Sequence, residues 1–163
     1  MKTAIYAGSF DPPTLGHVWM IERGAALFGR LIVAVGTNTD KAYAFSIEER
    51  LEMLKALTKG HKNVRVESFE NQFLVKYAKS IGVDYIIRGI RTETDFAYER
   101  DMRLINGDLE PRIETVFLMP PREIAEISSS FVKGLVGPQG WEKVVSRYLP
   151  PPVYRKFIDK LDR

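Results

Sequence analysis

Ile5-Tyr6-Ala7-Gly8-Ser9-Phe10-Asp11-Pro12-Pro13-Thr14-Leu15-Gly16-His17 holds a strand, a turn and the opening of a helix in one short stretch. Ala4 to Ala7 is an apolar run of strand length, Gly8, Asp11, Pro12 and Pro13 punctuate a turn, and a helix begins close to Gly16 and His17. Such a succession converges backbone N–H groups and the positive end of a helix dipole on one point, which is the physics of an anion site. Ser9 and Thr14 add hydroxyls, and His17 places an imidazole in the first helical turn. A purely structural turn, with Thr14 as N-cap, reads from the same residues. Neither G-x-x-x-x-G-K-S/T nor G-x-G-x-x-G occurs in the chain, so phosphate bound here is held by another device.

Outward from this stretch the chain alternates. A helix over about 16–28 is followed by the unbroken apolar strand Leu31–Val35, of the kind found where both sheet faces are covered. A polar loop carrying Lys41 leads to Ser46-x-x-Glu49, a capping box for the second helix. A strand over 64–68, a helix near 73–81, a strand over 85–87, a helix over about 94–105 and a strand over 114–118 follow. Ile127-Ser128-Ser129-Ser130 opens a further helix through Leu135, and short helices near 141–148 and 152–161 close the chain. Five strands alternating with helices specify a doubly wound, Rossmann-like, five-stranded parallel sheet. The expected organisation is one domain over 1–163, with a core of about 1–135 and a helical tail over 136–163.

In such sheets ligands bind beyond the carboxyl ends of the strands, where strand order reverses. The unusual polar residues obey this rule: Ser9 and His17 follow strand one, Lys41 strand two, residues 70–74 strand three, Arg88 and Arg91 strand four, and Ser128–Ser130 strand five. Arg88-Gly89-Ile90-Arg91 pairs two guanidinium forks with a glycine that lets backbone approach a ligand. Salt bridges to Glu93, Asp95 or Glu99 are the competing use of these arginines. Lys41 reads equally as a solvated loop lysine. One serine suffices for an N-cap, and here there are three.

Of the 163 residues 45% are hydrophobic and 28% charged, the balance of a globular chain with a substantial core. No apolar run approaches the roughly 20 residues that span a bilayer, and no basic stretch with an apolar h-region opens the chain, so neither a membrane nor secretion is expected. There is no cysteine, and the cytoplasm is the expected compartment. The net charge of +3 is dispersed among 21 acidic residues, which argues against a nucleic-acid surface and suits a few cations aimed at a small phosphorylated ligand. The two histidines, His17 and His61, are far apart, so no protein-built metal site is expected. No nucleophile–base pair suggests covalent catalysis. Cations, hydroxyls and a helix N-terminus suit phosphoryl or nucleotidyl transfer, where positioning and charge stabilisation supply nearly all the rate.

Gly8-Ser-Phe-Asp-Pro-Pro-Thr-Leu-Gly-His17 resembles the T/H-x-G-H signature of the nucleotidylyltransferase superfamily, and Ile127-Ser-Ser-Ser-Phe-Val-Lys133 resembles its second motif. Arg88-Gly-Ile-Arg91 with Asp95-Phe-Ala-Tyr-Glu99, the spacing of Lys41 from Phe45 and Glu48-Glu-Arg50, and Val116-Phe-Leu-Met-Pro120 resemble the bacterial phosphopantetheine adenylyltransferases. That resemblance implies transfer of AMP from ATP to 4′-phosphopantetheine, giving dephospho-coenzyme A and pyrophosphate, with Mg²⁺ carried on ATP. Carried over by position, it implies phosphopantetheine contacts for Ser9, Lys41, Leu74 and Arg88. ATP contacts fall on Ser9, Phe10, His17, Gly89, Ile90, Arg91, Glu99 and the segment Ile124, Ala125, Glu126, Ile127, Ser128, Ser129 and Ser130. His17, Lys41 and Arg91 would act on the transferring phosphate, His17 as its stabiliser. The family is commonly hexameric, and the resemblance implies a homohexamer here.

The chain departs from the family pattern in places. Ser9 stands for a usual threonine, Ala7 for a common proline, Tyr43 for a proline, and Ile124-Ala125-Glu126 for a usually aromatic stretch. The nearest rival is a nicotinate mononucleotide adenylyltransferase, which shares Phe-Asp-Pro-Pro but usually has histidine where Thr14 stands. A rival of another class is a nucleotide-binding regulatory module without turnover, against which the retention of His17 and Lys41 argues.

Overall fold

The computed structural model describes residues 1–37 and 42–161. The elements in chain order are β1 (Thr3–Gly8), α1 (Leu15–Leu27), β2 (Arg30–Thr37), α2 (Ile47–Thr58), β3 (Val64–Glu70), α3 (Leu74–Ser80) and β4 (Tyr85–Gly89). There follow α4 (Glu93–Leu109), β5 (Glu114–Leu118), α5 (Arg122–Ala125), α6 (Ser129–Gly134), α7 (Trp141–Val145) and α8 (Pro151–Leu161). The five strands pair in parallel in the order β3-β2-β1-β4-β5. The sheet thus grows one way from β1 through β2 and β3, then the chain crosses to β4 and β5. The switch falls between β1 and β4.

Alternation along the strands explains the layers. Ala4 and Tyr6 of β1, with Leu31, Val33 and Val35 of β2, pack against Met20 and Ile21 of α1 and Leu54 of α2. Ile5, Ala7, Ile32 and Ala34 point the other way, onto Val75 and Ala78 of α3. Gly24 lets α1 lie close on the sheet, since a Cβ there would meet Ile87 and Leu31 at 3.0 Å. The capping box Ser46–Glu49 starts α2: Ser46 N–H donates to Glu49 Oε2 at 2.7 Å and Glu49 N–H to Ser46 Oγ at 3.2 Å.

Some boundaries differ from the sequence reading. β4 extends through Arg88 and Gly89, because both pair with Phe117 and Leu118 of β5. β3 runs to Glu70 by pairing with Thr37, and α4 continues past Gly107 to Leu109. The one-turn helix α5 has no hydrophobic periodicity from which it could be read.

The tail packs on the same body. Val145, Leu149, Val153 and Phe157 join Phe45, Met53 of α2 and Val132 of α6 in a third apolar cluster. Lys156 pairs with Glu52, and Lys160 with Glu49 at 2.9 Å. The Tyr148 carbonyl accepts the Leu15 N–H at 3.0 Å, tying the tail to the start of α1. Phe157, 3% exposed, therefore reports on cooperativity. Phe157→Ala should cost about 3–5 kcal/mol of unfolding free energy within a single denaturant transition. A separate early transition, or a loss below about 1 kcal/mol, would show the tail to be an independent appendage.

Candidate active site

Two cavities open beyond the carboxyl ends of β1 and β4. One, about 320 Å³, gathers the charged and hydroxyl groups: its wall includes Ser9, Gly16 and His17 from the β1–α1 turn, Arg88, Gly89 and Arg91 from the end of β4, Asp95 and Glu99 from α4, and Ser128–Ser130 beside the apolar Ile124 and Ile127. The other, about 240 Å³, is largely apolar, with Phe69, Phe73 and Leu74 on one side and Tyr98, Met102 and Asn106 of α4 on the other. Ala7, Gly8, Arg88 and Glu99 belong to both walls. The two cavities therefore adjoin across the Arg88–Glu99 pair.

The capping of α1 fixes the state of His17. Thr14 N–H donates to His17 Nδ1 at 2.9 Å, and Thr14 Oγ1 lies 3.0 Å from the same nitrogen. An Nδ1 that accepts is unprotonated, so the neutral ring carries its proton on Nε2. The ring keeps only a partial opening to the cavity and stands against Phe10, centroids 5.0 Å apart. Burial, with a smaller contribution from the Arg91 guanidinium, lowers its pKa to about 4. His17 is thus a neutral N–H donor facing a cavity rimmed by cations.

The turn itself is held by buried groups. Phe10 adopts φ 50°, a region that costs a non-glycine residue roughly 1–2 kcal/mol. Its ring is fully buried, edge-on to Tyr6 at 5.5 Å, which offsets that cost. Arg50, 2% exposed, donates from Nη1 to the Ser9 carbonyl at 2.9 Å and from Nε to the Ser46 carbonyl at 3.2 Å, with Tyr43 4.2 Å below its guanidinium.

The sequence-derived candidates sort into three groups. His17, Ser9, Gly89, Arg91, Ile124, Ile127 and Ser128–Ser130 line the polar cavity, Leu74 lines the apolar one, and Arg88 and Glu99 line both. Phe10 and Ile90 are buried instead, Phe10 within the apolar cluster on the α1 side of the sheet, and Ala125 and Glu126 stand outside both walls. Lys41 lies outside the described residues.

Both arginines also make the ion pairs weighed against ligand binding. Arg88 Nε donates to Glu99 Oε2 at 2.8 Å, Nη2 to Oε1, and Nη1 to the Ala7 carbonyl at 3.1 Å. Arg91 Nε donates to Asp95 Oδ2 at 2.8 Å and Nη2 to Oδ1 at 3.2 Å. The pairs hold each fork in one orientation at the cavity wall, which lowers the ordering cost of meeting an anion. The serines divide their work: Ser128 Oγ accepts from Phe131 N–H at 3.1 Å, and Ser129 Oγ donates to the Pro12 carbonyl at 2.8 Å. The amides at the turn are partly spent as well, since Leu15 N–H goes to Tyr148 and Thr14 N–H to His17.

Sequence reasoning missed the apolar wall on α4. Tyr98, Met102 and Asn106 recur at i, i+4 and i+8, and this stripe of mixed polarity belongs neither to a core face nor to a solvated one. It also missed Asp11, whose carboxylate is buried beneath the turn.

Comparison with known proteins agrees with this architecture. Residues 5–134 match the model of the cytidylyltransferase-like family. The chain is 60% identical to a phosphopantetheine adenylyltransferase of Chromobacterium violaceum, over 97% of its own length and 96% of that protein's. It is 56% identical to one of Neisseria meningitidis over 96% and 92%, and 44% identical to one of Caldanaerobacter subterraneus over 100% and 99%. Two solved structures share the fold. They are a Plasmodium falciparum nicotinic acid mononucleotide adenylyltransferase (TM-score 0.70, 15% identity, 98% and 96% covered) and a putative nicotinate-nucleotide adenylyltransferase of Vibrio parahaemolyticus (0.68, 18%, 98% and 93%). The chain belongs to the cytidylyltransferase-like family and, within it, to the phosphopantetheine adenylyltransferases.

The capped imidazole makes a pH-dependent prediction. A folded pKa of about 4, below the ordinary 6.5, means that the unfolded chain takes up the proton first as pH falls. His17 should therefore add no pH dependence to stability above about 6.5 and should destabilise the fold progressively between 6.5 and 4. A ¹H–¹⁵N titration of the imidazole should show Nδ1 unprotonated throughout pH 5.5–8. A midpoint near 6.5 would place the ring in solvent and break the capping account.

Proposed function

We propose that the protein transfers the adenylyl group of ATP to the phosphate of 4′-phosphopantetheine, giving dephospho-coenzyme A and pyrophosphate. The observation that carries this reading is the meeting of a polar and an apolar cavity across Arg88 and Glu99. The polar cavity, with His17, Arg91 and the serines, suits a nucleoside triphosphate. The apolar one, walled by Phe69, Leu74, Tyr98 and Met102, suits a slender arm ending in a phosphate near Arg88. The name carried by relatives 44–60% identical supports the same pair of substrates and favours it over nicotinate mononucleotide.

A phosphate oxygen of 4′-phosphopantetheine attacks the α-phosphorus of ATP. The new P–O bond forms as the bond to the bridging oxygen of the β-phosphate breaks, and pyrophosphate leaves with the electron pair. Charge grows on the non-bridging α-oxygens, where the Nε2–H of neutral His17 donates. Arg91 and the serines steady the departing pyrophosphate, and Arg88 with Ser9 orients the attacking phosphate. Lys41 is assigned to the bridge between the two phosphates on its resemblance alone. By the resemblance Mg²⁺ would arrive on the triphosphate and would neutralise part of its charge when bound; among the described residues no three His, Cys, Asp or Glu side chains converge as a metal site.

A homohexamer is proposed on the same basis. Its support in this chain is α4, which buries only Glu99 and leaves Phe96, Leu104 and Ile105 exposed. Among the described residues no helix is long and apolar enough to cross a membrane. A cytoplasmic location, with neither membrane nor nucleic acid as partner, is proposed from the dispersed charge and the substrate pair. The whole chain, tail included, is proposed to act as one catalytic unit.

The acceptor is tested by following pyrophosphate release from ATP with 4′-phosphopantetheine and, separately, with nicotinate mononucleotide. Turnover with the first and none above background with the second is expected. Turnover confined to nicotinate mononucleotide would overturn the reading, and ATP binding without release for either would make the protein a regulatory module.

A further inference from the structure

Beneath the β1–α1 turn, Asp11 is 2% exposed and engages three donors, from the loop before α2 and from α6, with one carboxylate. Its Oδ1 accepts from Phe45 N–H at 2.9 Å, and its Oδ2 accepts from Ala44 N–H at 3.0 Å and from Lys133 Nζ at 2.8 Å. Burial alone would push its pKa up, but the Lys133 ammonium and the two amides more than offset this, and the net shift is downward. Lys133 lies on α6, one helical turn after Ser129, so both residues fall on one face of that helix. That face is the one docked on the turn: Ser129 Oγ donates to the carbonyl of Pro12, the neighbour of Asp11. Neither Asp11 nor Lys133 lines either cavity.

We infer that Asp11 and Lys133 are positioning residues that latch the 127–130 segment onto the His17 turn, setting the width of the nucleotide cavity. The rest of the seating is apolar: Val132 in the third apolar cluster and the Phe131 ring edge-on to Tyr148 at 5.2 Å. Helix α6 is only Ser129 to Gly134, with Val132 its one buried residue, too short to hold a place by its own stability. Gly16 marks the closeness the latch enforces, since a Cβ there would lie 3.0 Å from the Ile127 carbonyl oxygen. The apolar cavity takes no residue from α6 or from residues 11–14. The Lys133 arm of the latch therefore acts on the nucleotide side.

The inference rests on ATP as the occupant of the polar cavity, so its test reads binding separately from turnover. Affinities of a non-hydrolysable ATP analogue and of 4′-phosphopantetheine are measured by calorimetry for wild type, Lys133→Ala, Lys133→Arg and Asp11→Asn, beside thermal melts. Lys133→Ala should weaken the analogue roughly tenfold, the scale of one lost charge-assisted bond. It should leave 4′-phosphopantetheine within about twofold of wild type and melt within a few degrees of it. Lys133→Arg, which keeps the charge, should recover most of the loss, and a soluble Asp11→Asn should show no further loss when Lys133→Ala is added. Unchanged analogue binding by Lys133→Ala, or equal weakening of both ligands, would overturn the latch. Wild type that binds the analogue without turnover would defeat the catalytic reading while leaving the latch testable by the same affinities.

Discussion

Everything at the site depends on β1 being paired on both edges. β2 and β4 flank it in parallel, with registers running from Thr3 opposite Arg30 and from Ala4 opposite Tyr85. The connections on its two sides lead away in opposite senses, and the gap they leave lies above the carboxyl ends of β1 and β4. Backbone groups beyond those ends have no strand to pair with, so the chain must satisfy them otherwise. It does so with the Thr14–His17 cap, the Arg50 bond to Ser9 and the Arg88 bond to Ala7. A cleft for anions follows from the same topology that buries the apolar strand.

Charge in this cleft is ordered before any ligand enters. Arg88 and Arg91 are each forked onto a carboxylate of α4. A phosphate arriving beside such a pair meets guanidinium donors already oriented and already stripped of part of their water. The neutral imidazole is arranged by a different logic. A histidine charged in the ground state would lose its acceptor Nδ1 and the cap with it. The environment that lowers its pKa therefore keeps the donor and the helix start intact together. Preorganisation of this kind is what a transfer without covalent intermediates requires of a protein.

The doubly wound sheet was legible because Ile5 to Ala7 and Leu31 to Val35 are continuous apolar strands separated by helical periodicity and clear caps. The gathering of the candidate loops was legible, since convergence at strand ends follows from topology alone. The site's internal wiring was not. Nothing in Arg88-Gly-Ile-Arg91 decides between ligand and ion pair, and the structure shows the ion pairs in place at the cavity wall. Phe10 reads as a loop aromatic and is core, because its left-handed backbone swings the ring beneath Gly8. Ser128 and Ser129 look equivalent in sequence and divide into a cap for α6 and a donor to Pro12 only when α6 is seated on the turn. The α4 wall was hidden because its side chains gain meaning only opposite Phe69 and Leu74, on a distant strand and helix.

On the proposed reading the two substrates occupy the adjoining cavities and exchange the adenylyl group in one displacement. The stereochemistry at phosphorus tests this most directly. ATP made chiral at the α-phosphorus should give, with 4′-phosphopantetheine, a product of inverted configuration. Retention would require two displacements through a covalent adenylyl-enzyme, and would contradict direct transfer between the adjoining cavities.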